Sequence, residues 1–197
     1  LLTLRILIEQ LPRGSSGQPL LRLARSWFAA HAHQTTQATQ LLDSLENEEL
    51  DAEARAWAGG VRALIAYQAR DLEAVLPLVE AARDLPQAGA LSGMFDWLSG
   101  AALWEQGQSA QALARIRSAL RTPSIVRVPF GYAGITFFLI DYLHQLGRRD
   151  EAWAVCDQAL TELVDAEDNP LAYAAPVTVQ AGLLHYDADE LDAAESF

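Results

Sequence analysis

Apolar positions in this chain recur at helical spacing behind a row of small residues. Ala38, Ala74, Ala112, Ala152 and Ala194 each stand five residues into a similar phrase. Gly107-Gln-Ser-Ala-Gln-Ala112-Leu-Ala-Arg-Ile116 and Gly147-Arg-Arg-Asp-Glu-Ala152-Trp-Ala-Val-Cys156 are the clearest. Four residues after the alanine come Leu42, Leu78, Ile116 and Cys156, and seven after it Leu45, Ala81, Ala119 and Ala159. Such offsets put the side chains on one helical face. The alanine marks the place where a second helix crosses its partner, because only a small side chain lets two backbones approach. Successive alanines are 36, 38, 40 and 42 residues apart, a drifting period that marks stacked helix pairs. One pair cannot bury its apolar faces alone, so neighbours must stack. The pattern predicts an all-α protein, a right-handed α-solenoid of about five helix pairs with the last truncated.

The same pattern places the elements. Residues 1–11 read as the tail of a preceding helix, and 12–19, around Arg-Gly-Ser-Ser-Gly-Gln, as a turn-rich linker. Pairs follow at 20–34 with 36–45, 51–69 with 72–85, 91–106 with 109–121, 133–146 with 149–164, and 171–186 with a partner from Glu190. Gly107 and Gly147 mark the turns of two pairs, where a left-handed backbone suits glycine. His33 and Ala69 hold the equivalent place in two others. Pro86, Pro123 and Pro170 follow second helices, where proline ends a helix. Residues 122–132 carry Val126, Val128 and Phe130 around Pro123 and Pro129, and read as an ordered loop on the edge of the stack. Residues 1–197 thus form a single helical-repeat domain: 1–19 are the end of a helix and a linker, and 20–197 are the repeats. Beginning at Leu1 without methionine and stopping three residues after Ala194, the chain reads as a piece of a larger protein.

Charge narrows the role. Fourteen basic residues, all arginine, face 26 acidic ones for a net charge of −12. Phosphate contacts dominate nucleic-acid affinity, so direct nucleic-acid contact by this segment is not expected. The longest uncharged apolar run, residues 128–140, is too short to span a bilayer and contains Pro129 and Gly131. No membrane association is expected. The lone Cys156 falls in the packing column and suits a reducing cytoplasm. No G-x-x-x-x-G-K-[ST] loop occurs, and with no lysine in the chain its phosphate-binding residue is missing.

The linker and repeats together resemble the tetratricopeptide-like region of the large LuxR-type transcriptional regulators, the MalT-type group. The stretch that carries the resemblance is Leu11-Pro12 followed by Pro19-Leu-Leu-Arg22-Leu-Ala-Arg-Ser-Trp27, together with the repeat phrases Ala38-Thr-Gln-Leu-Leu42 and Asp71-Leu-Glu-Ala74. His33 and Ala69 depart from it, standing where a turn glycine is usual. The resemblance implies a cytoplasmic, multidomain, ATP-dependent regulator in which this region is the sensor or interaction arm. It also implies a small-molecule effector or protein partner, and DNA binding by a missing C-terminal domain. The rival reading is a general tetratricopeptide-repeat scaffold or adaptor with no regulator attached. The sequence leaves self-association open.

In tetratricopeptide repeats the first helices line the concave surface. Met94, Trp97 and Trp104 share a helical face there, Tyr67 comes from the preceding repeat, and Asp141 and His144 come from the next. Stacking rings with interspersed polar groups suit flat effectors, sugars or peptide side chains. These six are the candidate ligand-binding residues. Trp27, His31 and Tyr186 fall near the same surface. His31 and His33 point about 200° apart on a helix and cannot share a metal. The run Asp187-Ala-Asp189-Glu190-Leu-Asp192 puts Asp192 where a calcium loop needs glycine, and reads as helix-start carboxylates. No metal, cofactor or catalytic set is expected in this segment, so no enzymatic activity is either.

Overall fold

Five times the chain turns from a first helix into a second through the same backbone. A left-handed residue sits at each turn: His33 (φ 56°), Arg70 (64°), Gly107 (77°), Gly147 (72°) and Asp189 (63°). The amide of the left-handed residue donates to the carbonyl three residues back, and the next amide to the carbonyl five back. Gly107 thus reaches Trp104, and Gln108 reaches Leu103, each at 2.9 Å. This double closure satisfies carbonyls that a helix end otherwise leaves without partners. The residue after the turn then opens the second helix in one conformation, as Gln34 does at φ −90°, ψ 60° and Arg148 at −86°, 58°. Glycine fills two of the five left-handed positions; the other three carry a Cβ there at a cost of about 1–2 kcal/mol each.

These turns belong to a computed structural model that describes residues 19–86, 88–126, 129–164, 167 and 169–195. The helix tail and linker expected before Pro19 lie outside the described residues. The helices are α1 (Pro19–His31), α2 (Thr35–Asp43), α3 (Ala52–Gln68), α4 (Leu72–Arg83), α5 (Ser92–Glu105) and α6 (Ser109–Leu120). They continue with α7 (Pro123–Val126), α8 (Pro129–Gln145), α9 (Arg149–Glu162), α10 (Ala175–Asp187) and α11 (Leu191–Ala194). Single 3₁₀ turns, Ala88–Leu91 and Ala172–Ala174, lead into α5 and α10. Among the described residues the protein is all-α; its one β feature is an isolated bridge between Val164 and Pro170.

Counting from each left-handed residue gives the true packing column. The fifth, ninth and twelfth residues are Ala38, Leu42 and Leu45; Val75, Val79 and Ala82; Ala112, Ile116 and Ala119; Ala152, Cys156 and Ala159. All twelve are at most 3% exposed. This corrects the second repeat by one position: the turn residue is Arg70, so Val75 rather than Ala74 meets the partner helix, and Ala81 lies exposed. The turns stand at 33, 70, 107, 147 and 189, a period of 37, 37, 40 and 42 residues. A sharp test follows. Ala152→Leu is expected to cost about 1–3 kcal/mol by overpacking, whereas Ala74→Leu should leave the thermal midpoint almost unchanged. Equal melting of both variants would remove the one-residue shift.

The segment expected to be a loop is largely helical. Pro123 and Pro129 are each the first residue of a helix, α7 and α8. There the missing amide costs nothing and the fixed φ helps, so both prolines start helices. Residues 127 and 128 lie outside the described residues.

The chain divides into two compact units, Leu1–Ala102 and Leu103–Phe197, with the division falling inside the last turns of α5. In the first unit α1 pairs with α2 and α3 with α4, and α3 also packs on both α1 and α2. Leu23, Val61, Val75, Val79, Phe95 and Leu98 fill its core. Asp96 is buried there and its Oδ1 accepts from Arg83 Nη2 at 2.9 Å. In the second unit α8 pairs with α9 and α10 with α11, while α6, α9 and α10 all pack on a neighbouring first helix. Its core holds Ile116, Ile140, Leu143, Leu163 and Val177. Among the described residues no helix is long and apolar enough to cross a membrane.

Candidate functional site

In the first unit, ring side chains of two first helices meet. Trp27 and His31 are one turn apart on α1, the spacing that stacks side chains on a helix surface. Their ring centroids are 4.0 Å apart with the planes tilted by 50°. His31 also faces Trp97 of α5, with centroids 6.3 Å apart and planes within 28°. The imidazole thus contacts an indole of its own helix and one of α5. His31 Nδ1 lies 3.0 Å from the Trp27 carbonyl oxygen, which makes Nδ1 the protonated nitrogen. Burial lowers the pKa of His31; the Trp27 carbonyl opposes that shift, and His33 adds to it. Gln68 Nε2 donates to the Ala30 carbonyl at 2.7 Å, tying the end of α3 to the end of α1. Tyr67 is half-buried beside it, packed on the same core.

The second unit has its own ring stack. Trp104 lies flat on Tyr142 of α8, with centroids 4.0 Å apart and planes within 4°. Such a pair contributes about 0.5–1.5 kcal/mol beyond its buried area. Phe138 backs Tyr142 at 5.9 Å. Asp141 accepts from Gln145 Nε2 at 2.8 Å on its own helix. His144 Nε2 meets Asp187 Oδ2 of α10 at 2.9 Å. Near the end of α10, His185 stands edge-on to Trp153, 4.5 Å between centroids, and its Nδ1 contacts Glu190 at 2.6 Å.

The candidate residues therefore separate by role. Trp97 and Trp104 are partly buried, and each lies against a neighbouring ring, His31 and Tyr142. Tyr67 packs, half-buried, on the core of the first unit. Met94 is a core residue: it is 9% exposed, and a Cβ built on Gly60 would lie 2.1 Å from its Cε. The ring that meets Trp104 is Tyr142, rather than the neighbouring Asp141 or His144, which bond along the helix and to Asp187. Tyr186 is exposed. His31 gains most from the structure. Trp27, one turn away on the same helix, was readable beside it, but the contact with Trp97 was not, because α5 lies far from α1 in sequence. Among the described residues there is no group of three or more His, Cys, Asp or Glu side chains placed to hold a metal. Cys156 is buried, and burial pushes its thiol up to about 11, with Asp157 adding to the effect. A thiol so protonated is no nucleophile at neutral pH. No family model matches the chain, and no characterised protein matches it in sequence.

Proposed function

We propose that this chain is the sensor and interaction arm of a signal-dependent LuxR-type transcriptional regulator. In this reading its tetratricopeptide-like pairs form a right-handed solenoid and bind a small effector or a protein partner on their first helices. The observation that carries the reading is the turn repeated five times with one backbone geometry. A turn of one geometry inside every pair is the mark of a repeated helix-turn-helix unit, and in repeat proteins of that kind function lies in the side chains the units present. Those side chains include ring pairs, Trp97 with His31 in the first unit and Trp104 with Tyr142 in the second; in this reading Tyr67, Asp141 and His144 on first helices add polar groups. Such surfaces orient flat or amphipathic ligands by stacking and a few hydrogen bonds. The net charge of −12 leaves DNA contact to another domain of the cytoplasmic protein, and catalysis and cofactors to other modules.

The complete reading frame tests the regulator directly, since it must encode an ATPase module and a DNA-binding domain beside this segment. A frame without them would make the segment a general interaction scaffold. The isolated segment is expected neither to turn over ATP nor to retard a DNA duplex at low salt. Within the full regulator, Trp97→Ala and Trp104→Ala should each raise the inducing concentration by about tenfold or more. Unchanged induction by both variants would remove the aromatic surface from the site.

A further inference from the structure

In the last pair, the first helix α10 leaves one apolar face bare. Ala175, Val179, Leu183 and Tyr186 lie within about 80° of one another around its axis, and all four are exposed. Val179 is 57%, Leu183 47% and Tyr186 63% exposed. No other helix among the described residues exposes more than one large apolar side chain. In the pair before it the equivalent face is covered. Three, six and ten residues before its left-handed turn, α8 has His144, Asp141 and Phe137, each partly buried where α10 packs on α8. The same count on α10 gives Tyr186, Leu183 and Val179. One pair earlier, then, this face is where another first helix packs.

Two properties of the bare face select what covers it. The first is charge. No Asp, Glu or Arg occurs from residue 169 to residue 184, in a chain of net charge −12. Two copies of so acidic a chain repel each other, and here they can meet without opposing carboxylates. The second is taper. The exposed side chains grow from Ala172, in the 3₁₀ turn before α10, and Ala175 through Val179 to Leu183 and Tyr186. Laid antiparallel on a copy of itself, about a two-fold axis at Val179, the stripe sets Tyr186 of each copy against Ala172 of the other. Large side chains then face small ones along its length, as a self-complementary contact requires. The exposed Asp187 comes to the start of the other α10, where the helix dipole favours an anion. A parallel copy would instead set Tyr186 on Tyr186 and Asp187 on Asp187.

We infer that the chain forms a two-fold homodimer through α10, the two helices antiparallel and crossing at Val179. The contact uses none of the candidate ligand residues and does not depend on the effector reading.

Sedimentation of the purified chain reads its mass directly. The expected result is a concentration-dependent shift from one chain to two and no further, since a two-fold contact closes on itself. Val179→Glu/Leu183→Glu should weaken the association about tenfold or more. Both positions are exposed, so the helical circular dichroism should stay unchanged. Introduced cysteines read the orientation, because the natural Cys156 is buried. Under mild oxidation Val179→Cys should link to its own copy. Tyr186→Cys should not, since the two positions stand about 21 Å apart along the antiparallel helices, but it should link to Ala172→Cys in a mixture of the two variants. A chain that sediments as a single copy at every concentration overturns the proposal, whether the face then binds lipid vesicles or is covered by further helix pairs of a longer chain. Association unchanged by the two glutamates overturns it as well, as does Tyr186→Cys linking to itself as readily as Val179→Cys.

Discussion

Asp96→Ala is expected to lower folding stability by about 3 kcal/mol, at the low end of the range for breaking a buried ion pair. The Asp96 side chain is 6% exposed and its partner Arg83 27%. The Arg83 guanidinium also lies 5.9 Å above the Phe95 ring. Removing the carboxylate leaves the cation beside an apolar core with only the more exposed Glu80, 3.8 Å from its Nε, and that contact and the residual solvent access of Arg83 keep the loss from being larger. The companion variant separates charge from packing. Asp96→Leu with Arg83→Met should recover most of the stability, since two apolar groups of similar volume need no desolvation compensation. Urea unfolding reads both. An Asp96→Ala midpoint equal to that of the wild type would mean the pair contributes nothing to the fold.

Repeats with glycine at the turn were read in phase, because Gly107 and Gly147 announce the left-handed residue and fix the column behind it. The second repeat has Arg70 in that position. Arginine gives no such signal, and the phrase Ala69-Arg-Asp-Leu-Glu-Ala74 offered an alanine one place early. Val75, Val79 and Ala82 keep the same spacing, so periodicity alone could not reveal the shift. Pro123 and Pro129 misled in another way, since a proline that ends one helix and a proline that opens the next look alike in sequence.

The candidate site was legible by helix but not by face. A helix that is apolar on all sides has no phase to read, and α8, Pro-Phe-Gly-Tyr-Ala-Gly-Ile-Thr-Phe-Phe-Leu-Ile-Asp-Tyr-Leu-His-Gln, is nearly so. Asp141 and His144 stood out there as the polar residues, while Tyr142 between them is the ring that stacks on Trp104. Met94 shared a face with Trp97, yet a glycine across from it, Gly60, opened a core position that no local pattern announces.

The sharpest consequence of close helix packing concerns the adjacent glycines of α3. Gly59→Ala is expected to cost about 2 kcal/mol, although alanine favours a helix over glycine by about 1 kcal/mol. A Cβ at position 59 would lie 2.6 Å from the Ala82 Cβ and 3.6 Å from its Cα. Neither atom can rotate away, so α3 and α4 must part, and overpacking of this kind costs about 1–3 kcal/mol. Moving the methyl group from one helix to the other should undo the damage. Gly59→Ala with Ala82→Gly restores the crossing distance, gains in α3 what it loses in α4, and should unfold close to the wild type. Gly60→Ala provides the contrast. Its Cβ would meet the Met94 Cε, the end of a flexible chain that can swing aside, and would lie 3.2 Å from the Met94 Sδ and 3.3 Å from the Phe95 Cε1, which need give only a few tenths of an ångström. Gly60→Ala should therefore cost less than Gly59→Ala. A double variant no more stable than Gly59→Ala alone would show that Gly59 and Ala82 do not set the approach of the two helices.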